Sequence, residues 1–443
     1  MTYGCKANQY DTQVLREALL RRGMSESSSD ADLVLINTCT VTAEAGRKAK
    51  KLVRRLHREQ PDVRIAITGC LAESEPEILR ELPGVEWVLG NGEAKRPANF
   101  LRELGHEVGP EELGIPAGIT EFAGHTRAFL KIQDGCDQAC AFCIIPRVRG
   151  KSRSRPIDEL CAEVLRLVQG GHVEVVLCGI HIGHWGRDLG LTLADLCAAL
   201  VALDPREPDG TPIPYRLRLS SIEATEVDEP LLALMAENAE RLAPHLHMPM
   251  QSGSDAVLRA MNRWYDRAEY LEACHRIRAA LDRPAFTADV LVGFPGETEQ
   301  HFQETLDAVS EAGFARVHAF PFSPRPETAA WDLPERVDPS AVRDRRMRLS
   351  ERASQIGADY RDSLVGATET VVLEGFAGLS GRYQRVRVDP DWIVGVPPRS
   401  IQVRLELRQR LQTDELTSEP NTEPVMELWG RPLESPASLG AHG

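Results

Sequence analysis

Short apolar runs alternate with longer charged stretches along the first 105 residues. Residues 32–38 and 63–69 are apolar runs of strand length, and residues 43–59 between them have helical spacing. This strand–helix–strand order predicts a parallel, doubly wound α/β sheet in a domain spanning 1–105. Sheets of this kind carry their functional sites at the carboxyl ends of the strands.

The same alternation predicts a second domain over residues 123–358, after a segment at 106–122 whose Gly, Pro and Glu content is typical of a linker. Helical stretches there separate six strand-like runs: 128–132, 173–178, 215–220, 244–248, 286–292 and 316–321. Six strand–helix repeats predict a partial (β/α)6 barrel with its functional residues on the loops that follow the strands.

The remaining chain predicts a small β domain followed by a tail. Short strand-like runs occur between residues 359 and 407, at 368–373, 385–388 and 401–405, which is enough for a small β-barrel. Residues 408–443 are acidic and have little apolar periodicity, so we expect a disordered tail.

Composition limits the possible settings of this chain. No run approaches the roughly 18 apolar residues of a membrane span, and the first residues lack a signal segment, so we expect a cytoplasmic protein without a membrane partner. Ten cysteines in a reducing compartment favour metal or redox chemistry over disulfides. With a net charge of −14, an RNA partner would have to meet local basic patches.

Three cysteines follow the first barrel strand with C-x3-C-x2-C spacing: Cys136, Cys140 and Cys143. Three thiolates on one loop can hold three irons of a 4Fe-4S cluster and leave the fourth iron open to a small molecule. The spacing fits neither a ferredoxin nor a paired zinc knuckle. A zinc site with a remote fourth ligand and buried thiols that happen to cluster are the alternatives.

A second group of cysteines is predicted at one edge of the first sheet. Cys39 and Cys70 each follow a strand, and Cys5 lies near the start of the chain. Because parallel strands end at the same edge, these thiols could form another three-cysteine site. Three separate buried cysteines remain an alternative from the residues alone.

Two basic segments are candidate RNA contacts. Residues 46–58 hold seven Lys or Arg and no acidic residue, and residues 144–156 hold five basic residues beside the cysteine loop. Solvent-exposed basic faces without a ligand would show the same pattern. The candidate contacts are Arg47, Lys50, Arg54, Arg147, Arg149 and Arg153, with Arg385 in the third domain.

Polar residues and glycines after the barrel strands are candidate cofactor contacts. Ser221, Glu223 and Gln251 offer groups that suit hydrogen bonds to a ribose or an amino acid, although helix capping would also explain such residues. His181 and His184 lack a neighbouring carboxylate pattern, so we do not predict a metal there. The other four cysteines are expected to be strand or core residues.

The cysteine loop with Phe142 and the Gly-rich turn at 293–297 resemble the radical S-adenosylmethionine (SAM) superfamily. The resemblance implies a 4Fe-4S cluster at Cys136, Cys140 and Cys143. The amino and carboxylate groups of SAM would bind its open iron, and cleavage of SAM would give a 5′-deoxyadenosyl radical. It also implies that Gly179 meets the methionyl end of SAM and that Gly293 and Gly296 lie along the adenine.

Residues 4–11, 37–42 and 68–70 are similar to the amino-terminal domain of the methylthiotransferases. This resemblance implies an auxiliary 4Fe-4S cluster on Cys5, Cys39 and Cys70. In position and outline the third domain resembles the TRAM domain, an RNA-binding module, and an accessory domain without RNA contact is the alternative. The methylthiotransferase family has a full strand before its Gly-Cys, whereas only residues 1–4 precede Cys5 here. Either the start codon is assigned too late or the first strand is frayed.

The motifs at 179–183 and 219–223 look most like the subgroup that converts N6-threonylcarbamoyladenosine, beside the tRNA anticodon, to its 2-methylthio form. The implied partners are tRNA and an electron donor such as a flavodoxin or a ferredoxin; the sulfur donor is not indicated. Subgroups acting on isopentenyladenosine in tRNA or on a ribosomal-protein aspartate are alternatives. An iron–sulfur RNA-binding or electron-transfer protein without radical chemistry is an alternative of another class.

Overall fold

The amino-terminal domain is a three-stranded parallel sheet with helices on both faces. The computed structural model describes residues 1–27, 29–109, 118–392, 400–409 and 426–433. The strands lie in the order β1 (Leu33–Thr38), β2 (Arg64–Gly69) and β3 (Val85–Leu89). The helices are α1 (Lys6–Arg21), α2 (Ala43–Glu59), α3 (Cys70–Ser74), α4 (Pro76–Arg80) and α5 (Pro97–Glu103).

Helices pack on both faces of this sheet. Ile36 and Ile67 pack with Leu52 of α2 on one face, whereas Leu89 packs with Phe100 of α5 on the other. The predicted doubly wound parallel sheet is thus confirmed. Before α1 the chain forms a single parallel bridge from Thr2 to Asn37.

The central domain contains six parallel strands in sequence order. Three of them form one sheet, β4 (Arg127–Lys131), β7 (Glu174–Cys178) and β8 (Arg216–Leu219), and three form another, β9 (His245–His247), β10 (Ala285–Val292) and β11 (Arg316–Pro321). Parallel bridges from Leu217 to Leu242 and from Ser221 to His247 join the two sheets. The six strands confirm the predicted partial (β/α)6 barrel.

A small hairpin and the helices complete the barrel. The hairpin pairs β5 (Gln133–Asp134) with β6 (Arg153–Ser154), on either side of the cysteine loop. The helices are α6 (Ile145–Arg149), α7 (Ile157–Gln169), α8 (Leu193–Val201), α9 (Glu229–Glu237), α10 (Asp255–Ala260), α11 (Arg267–Ala280), α12 (Glu299–Ala312) and α13 (Pro339–Ser363). Ile119 and Phe122 pack in the barrel core, which therefore begins before residue 123. Residues 110–117 of the predicted linker lie outside the described residues.

The carboxyl-terminal domain is a closed five-stranded barrel. Its strands are β12 (Thr368–Glu374), β13 (Ala377–Ser380), β14 (Arg385–Arg387), β15 (Ser400–Gln409) and β16 (Met426–Pro432), in the order β12-β13-β14-β16-β15. The predicted small β-barrel is confirmed.

Strand β16 corrects the prediction that residues 408–443 form a disordered tail. It pairs antiparallel with β15 over seven residue pairs, and its Leu428 is buried with Val403 and Leu405. The seven residues of β16 show too little apolar alternation for the sequence to predict a strand. The strand is stabilised by pairing with β15, which lies earlier in the chain. Residues 410–425 and 434–443 lie outside the described residues.

This small barrel covers the amino-terminal ends of the central strands. Glu174, at the start of β7, is fully buried between Arg216 and Arg218 of β8. Those guanidinium groups also donate to backbone carbonyls of the small barrel, with Arg216 Nη1 2.9 Å from the Thr370 O and Arg218 Nη2 2.9 Å from the Ser380 O. The cysteine loop lies after β4, so the small barrel and the cysteine loop occupy opposite ends of the strands.

Candidate active site with two groups of thiols

Three cysteines of the amino-terminal domain meet at the carboxyl edge of its sheet. Cys39 directly follows β1, Cys70 begins α3 directly after β2, and Cys5 precedes α1. A Cβ on Gly4 would lie 3.0 Å from the Cys39 Sγ, so the Cys5 segment packs directly on Cys39. Burial, with smaller contributions from Cys70 and Cys5, raises the pKa of Cys39 to about 11. The structure therefore brings the predicted thiols together.

Gly69 is required where β2 turns into the thiol edge. Its φ of 99° lies in the left-handed region, and an added Cβ would collide with the Thr38 carbonyl and lie 2.5 Å from Asn37 Oδ1. Only glycine fits such a position without displacing a neighbouring strand. This explains the Gly-Cys pair at 69–70.

The second group of thiols lies on the loop between β5 and α6. Cys136 N donates to the Gly150 O at 3.0 Å, Cys143 N donates to the Cys140 O at 3.1 Å, and the intervening Ala141 N donates to the Met261 O at 2.9 Å. Burial raises the pKa of Cys143 to about 12, with neighbouring Cys140 and Cys136 adding to the rise. The predicted three-cysteine loop is thus compact and fixed at both ends.

Two side chains from distant parts of the barrel point their nitrogens at sulfurs of this loop. Arg263 Nη1 lies 3.3 Å from the Cys140 Sγ, and His181 Nδ1 lies 3.5 Å from the Cys136 Sγ. Arg263 also pairs with Glu223, their closest N–O distance being 2.5 Å. Sequence reasoning missed Arg263, which is 123 residues from Cys140 and carries no motif.

A carboxylate that sequence reasoning did not find lies beside the two histidines. Glu226, after β8, is 2.8 Å from His181 Nε2 and 3.1 Å from His184 Nε2. Burial alone would raise the pKa of Glu226, but hydrogen bonds from both imidazoles lower it to about 2. Burial likewise opposes the charge on His181, but Cys136 and Glu226 raise its pKa to about 9. The expectation that these histidines lack a carboxylate neighbour was wrong; the absence of a metal there stays a prediction.

The predicted cofactor residues lie on loops after the barrel strands. At two of these positions a larger residue would not fit. An added Cβ at Gly179 would lie 2.9 Å from Gln133, and one at Gly293, which has a φ of 81°, would collide with Val342. Gln251 has a φ of 62°, rare for a residue with a side chain, and its backbone pairs with Asp289 and Leu291. Strain of this kind is concentrated at functional sites.

The other predicted cofactor residues lie on the cysteine loop or on loops that follow β8 and β10. Phe142 packs on a cluster that includes Met261 and Phe294, and Glu223 is held by Arg263. Ser221 forms the bridge to His247, and Gly296 N donates to the Glu335 O at 3.0 Å. Their contact with a cofactor stays a prediction.

Arg149 is not an RNA contact, which corrects the sequence prediction. Its side chain is 1% exposed, and Arg149 Nε donates to the Cys70 Sγ at 3.3 Å. Nη1 lies 2.8 Å from Asp134 Oδ1, and Nη2 donates to Asn8 Oδ1. The basic pattern of residues 144–156 did not reveal that one arginine turns inward.

A buried network of charges joins the two domains around Arg149. Asp11 of α1 accepts from Lys95, Lys131 and Arg149. Burial alone would raise the pKa of Asp11, but these three cations hold it far below its usual range. Lys131 and Arg149 similarly outweigh burial at Asp134 and lower its pKa to about 2. The network fixes the first thiol group against the barrel.

The other basic residues predicted to contact RNA differ in their exposure and in their ion pairs. Lys50, which is partly buried, pairs with Glu75 at 2.5 Å, and its contact with RNA stays a prediction. Arg147 pairs with Glu327 at 2.7 Å, whereas Arg153 is exposed. Arg385 is exposed on β14.

One face of α2 carries four exposed cations, which we name the α2 stripe: Arg47, Lys51, Arg54 and Arg58. Their spacing of four, three and four residues places them along one side of the helix. Within the described part of the chain, none of the four forms an ion pair.

Both thiol groups fit iron–sulfur clusters. Each supplies three sulfur donors, which leaves one iron of a 4Fe-4S cluster without a protein ligand. Arg149 in one group and Arg263 in the other donate to a sulfur, as hydrogen-bond donors around cluster ligands do.

Family comparisons agree with this division of the chain. Residues 1–90 match the family described as uncharacterized protein family UPF0004, and residues 130–309 match the radical SAM superfamily. No helix among the described residues is long and apolar enough to cross a membrane.

Two curated relatives align with most of the chain. The threonylcarbamoyladenosine tRNA methylthiotransferase MtaB of Chlamydia pneumoniae is 36% identical over 85% of this chain and 86% of its own. The tRNA-2-methylthio-N(6)-dimethylallyladenosine synthase of Bartonella bacilliformis is 31% identical over 93% of this chain and 91% of its own.

A solved structure shares the fold. The radical SAM methyltransferase TsrM of Kitasatospora setae has a TM-score of 0.53 and 16% identity over 73% of this chain and 74% of its own. The radical SAM fold, two 4Fe-4S clusters and SAM as cofactors follow from the family match. The chain belongs to the radical SAM methylthiotransferase family, and it is an enzyme of the transferase class.

Proposed function

We propose that this chain converts N6-threonylcarbamoyladenosine beside the tRNA anticodon to its 2-methylthio derivative. The observation that carries the proposal is the pair of three-thiol groups, one on each domain, held together by the buried charges around Arg149. Relatives that are named for this substrate, such as the one from Chlamydia pneumoniae, favour it over the isopentenyladenosine alternative, whose relative is less identical.

The two thiol groups have separate roles in this proposal. Cys136, Cys140 and Cys143 hold the cluster that binds SAM, while Cys5, Cys39 and Cys70 hold the auxiliary cluster. When bound, the clusters and SAM would supply the radical that takes a hydrogen from the substrate carbon and the methylated sulfur that replaces that hydrogen. The protein's own part is to fix both groups of thiols at the carboxyl ends of their strands.

The residues around the cysteine loop position SAM and exclude water. Arg263 neutralises Glu223 in a site where that carboxyl would otherwise be buried unpaired, with side-chain exposures of 4% and 12%. Phe142, Gly179, Ser221, Gln251, Gly293 and Gly296 complete the proposed cofactor contacts on neighbouring loops.

The α2 stripe gives this acidic chain a surface for tRNA. The helix begins at Ala43, four residues after Cys39, and Ala43 N donates to Ser323 Oγ on the loop after β11. The stripe therefore extends away from the proposed site. Unpaired guanidinium and ammonium groups in a row suit successive phosphates. Arg147, Arg153 and Arg385 are further candidates. A flavodoxin or ferredoxin would supply electrons, and a tRNA substrate suits the expected cytoplasmic setting.

Mass spectrometry of tRNA nucleosides tests the substrate. A strain lacking the gene should lose only the methylthio form of threonylcarbamoyladenosine, and the intact gene should restore it. A gene carrying C39A should not restore it, whereas one carrying C197A, a buried cysteine of α8, should. Loss of the isopentenyladenosine derivative instead would support that alternative, and an unchanged profile would overturn the tRNA assignment.

A further inference from the structure

Arg149 reaches from the barrel into the amino-terminal domain and ends against a cysteine of the first thiol group. It is the last residue of α6, only six residues after Cys143, yet its Nε lies 3.3 Å from the Cys70 Sγ on the other domain. Its side chain is 1% exposed. One short helix therefore links the two thiol groups.

The charges around Arg149 do not cancel. Three cations, Lys95, Lys131 and Arg149, share two carboxylates, Asp11 and Asp134, which leaves one positive charge in excess. At the other thiol group the donor to the Cys140 Sγ is Arg263, which is matched by the single carboxylate of Glu223. The first thiol group thus meets one buried positive charge in excess, whereas the charge of Arg263 at the second group is balanced by Glu223.

A buried positive charge and an N–H donor both favour extra negative charge on a nearby sulfur. Reduction adds one electron to a cluster and spreads that electron over iron and sulfur, and hydrogen bonds to the sulfurs are among the features that set cluster potentials. An arginine stays charged at any working pH, so its effect is constant.

We infer that Arg149 is a positioning residue that raises the reduction potential of the auxiliary cluster through the Cys70 sulfur. The inference rests on the proposed function, because it requires a cluster on Cys5, Cys39 and Cys70. It assigns Arg149 a role that differs from RNA binding, and it gives the two clusters different potentials through different neighbours.

The test is a redox titration, followed by electron paramagnetic resonance, of the full chain carrying C136A/C140A/C143A. Only the auxiliary cluster then contributes to the signal. R149M should shift the ratio of oxidised to reduced cluster at a fixed potential at least tenfold toward oxidised, which is about 59 mV downward for one electron. R149K keeps the cation but loses the planar guanidinium fork, so a smaller shift in the same direction is expected.

K151M is the matched control, because exposed Lys151 lies two residues away and the same charge is lost. Its potential should equal that of the parent. An R149M potential equal to that of K151M, with full iron content, would overturn the inference and leave the cluster assignment intact. If R149M does not retain its cluster, the reduction potential of R149K is the test. An R149K potential equal to that of the parent would overturn the inference. Absence of iron in the parent would overturn both the inference and the proposed function.

Discussion

Single residues at the thiol edge are constrained by backbone geometry as much as by chemistry. Gly69 adopts a left-handed conformation against β1, and Gly4 packs on Cys39 so closely that an added Cβ would lie 2.8 Å from the Cys39 Cβ. These glycines set the spacing of the thiols. The residues that position the cysteines are therefore partly residues without side chains.

The Gly69→Ala substitution should destabilise the protein much more than Gly23→Ala. Both glycines have left-handed φ angles, 99° and 78°, but a Cβ at Gly23 meets nothing within 4 Å. The strain common to both is about 1–2 kcal/mol, and the collision with Thr38 and Asn37 adds to it only at Gly69. Denaturant unfolding of the two variants measures the difference. Equal losses of unfolding free energy would contradict this account of the thiol edge.

Sequence reasoning at this scale found the cysteines but missed their neighbours. Spacing along the chain is enough to find Cys136, Cys140 and Cys143, because one loop carries all three. Glu226 and Arg263 come from other loops, and no local pattern connects them to the cysteines. Arg149 was placed on the surface because its segment is basic, whereas buried carboxylates draw it inward.

At the scale of elements, the small barrel is fixed to the central barrel by buried ion pairs. Glu174 on β7 forms ion pairs with both Arg216 and Arg218 on β8, and both arginines extend to backbone carbonyls of the small barrel. Arg382, after β13, pairs with Glu369 of β12 and at 2.9 Å with Asp282 of the central barrel. These contacts place three paired arginines between the two barrels.

The Glu174→Gln substitution should cost about 3–5 kcal/mol of unfolding free energy, because it leaves two buried arginines without a counter-charge. Glu374→Gln is the control. Glu374 is 47% exposed and lies 3.4 Å from Arg127, so its loss should cost less than about 1 kcal/mol. Urea unfolding measures both values, and similar losses would argue against the buried pairs as the main attachment.

The same carboxylate predicts a pH dependence. Burial alone would raise the pKa of Glu174, but Arg218 and Arg216 lower it to about 2 from an ordinary 4.5. A carboxyl with a depressed pKa stabilises the fold above its unfolded pKa, and that contribution fades as the pH falls from about 4.5 through about 2. The wild-type chain should therefore lose more stability over this interval than E174Q does.

Strand order was largely predictable from the chain, and strand partners were not. The six barrel strands lie where the apolar runs predict them, because each is buried and bounded by helical stretches. Strand β16 lacks that support in sequence. It is stabilised by β15 and β14, one earlier strand on each side, which only the folded barrel reveals.

At the scale of the whole molecule, an acidic chain must offer tRNA a local surface. Its net charge is −14, but the α2 stripe presents four cations without ion pairs within the described residues, on the helix that begins beside the first thiol group. The sequence predicted this helix and its basic residues, and their contact with tRNA stays a prediction. The sequence did not separate the free cations from those in ion pairs, because pairing depends on contacts such as that of Lys50 with Glu75.

The double reversal R47E/R54E should weaken tRNA binding and flatten its salt dependence. Each lost phosphate contact reduces the slope of log affinity against log salt by about 0.7–0.9, so a loss of about 1.4–1.8 is expected for two contacts. K48E/R55E is the control, with the same charge change on the same helix. Lys48 and Arg55 already pair with Glu44 and Glu59, so the slope should change little. Equal slopes for the two variants would exclude the stripe as the contact surface.

The central claim is that the two thiol groups have different tasks in one reaction. Its most direct test is an anaerobic reaction of the reconstituted chain with SAM, a reductant and tRNA that carries threonylcarbamoyladenosine. Mass spectrometry follows 5′-deoxyadenosine and the methylthio nucleoside. Wild type should form both, C5A/C39A/C70A should form only 5′-deoxyadenosine, and C136A/C140A/C143A should form neither. Formation of the methylthio nucleoside by C5A/C39A/C70A would contradict the account.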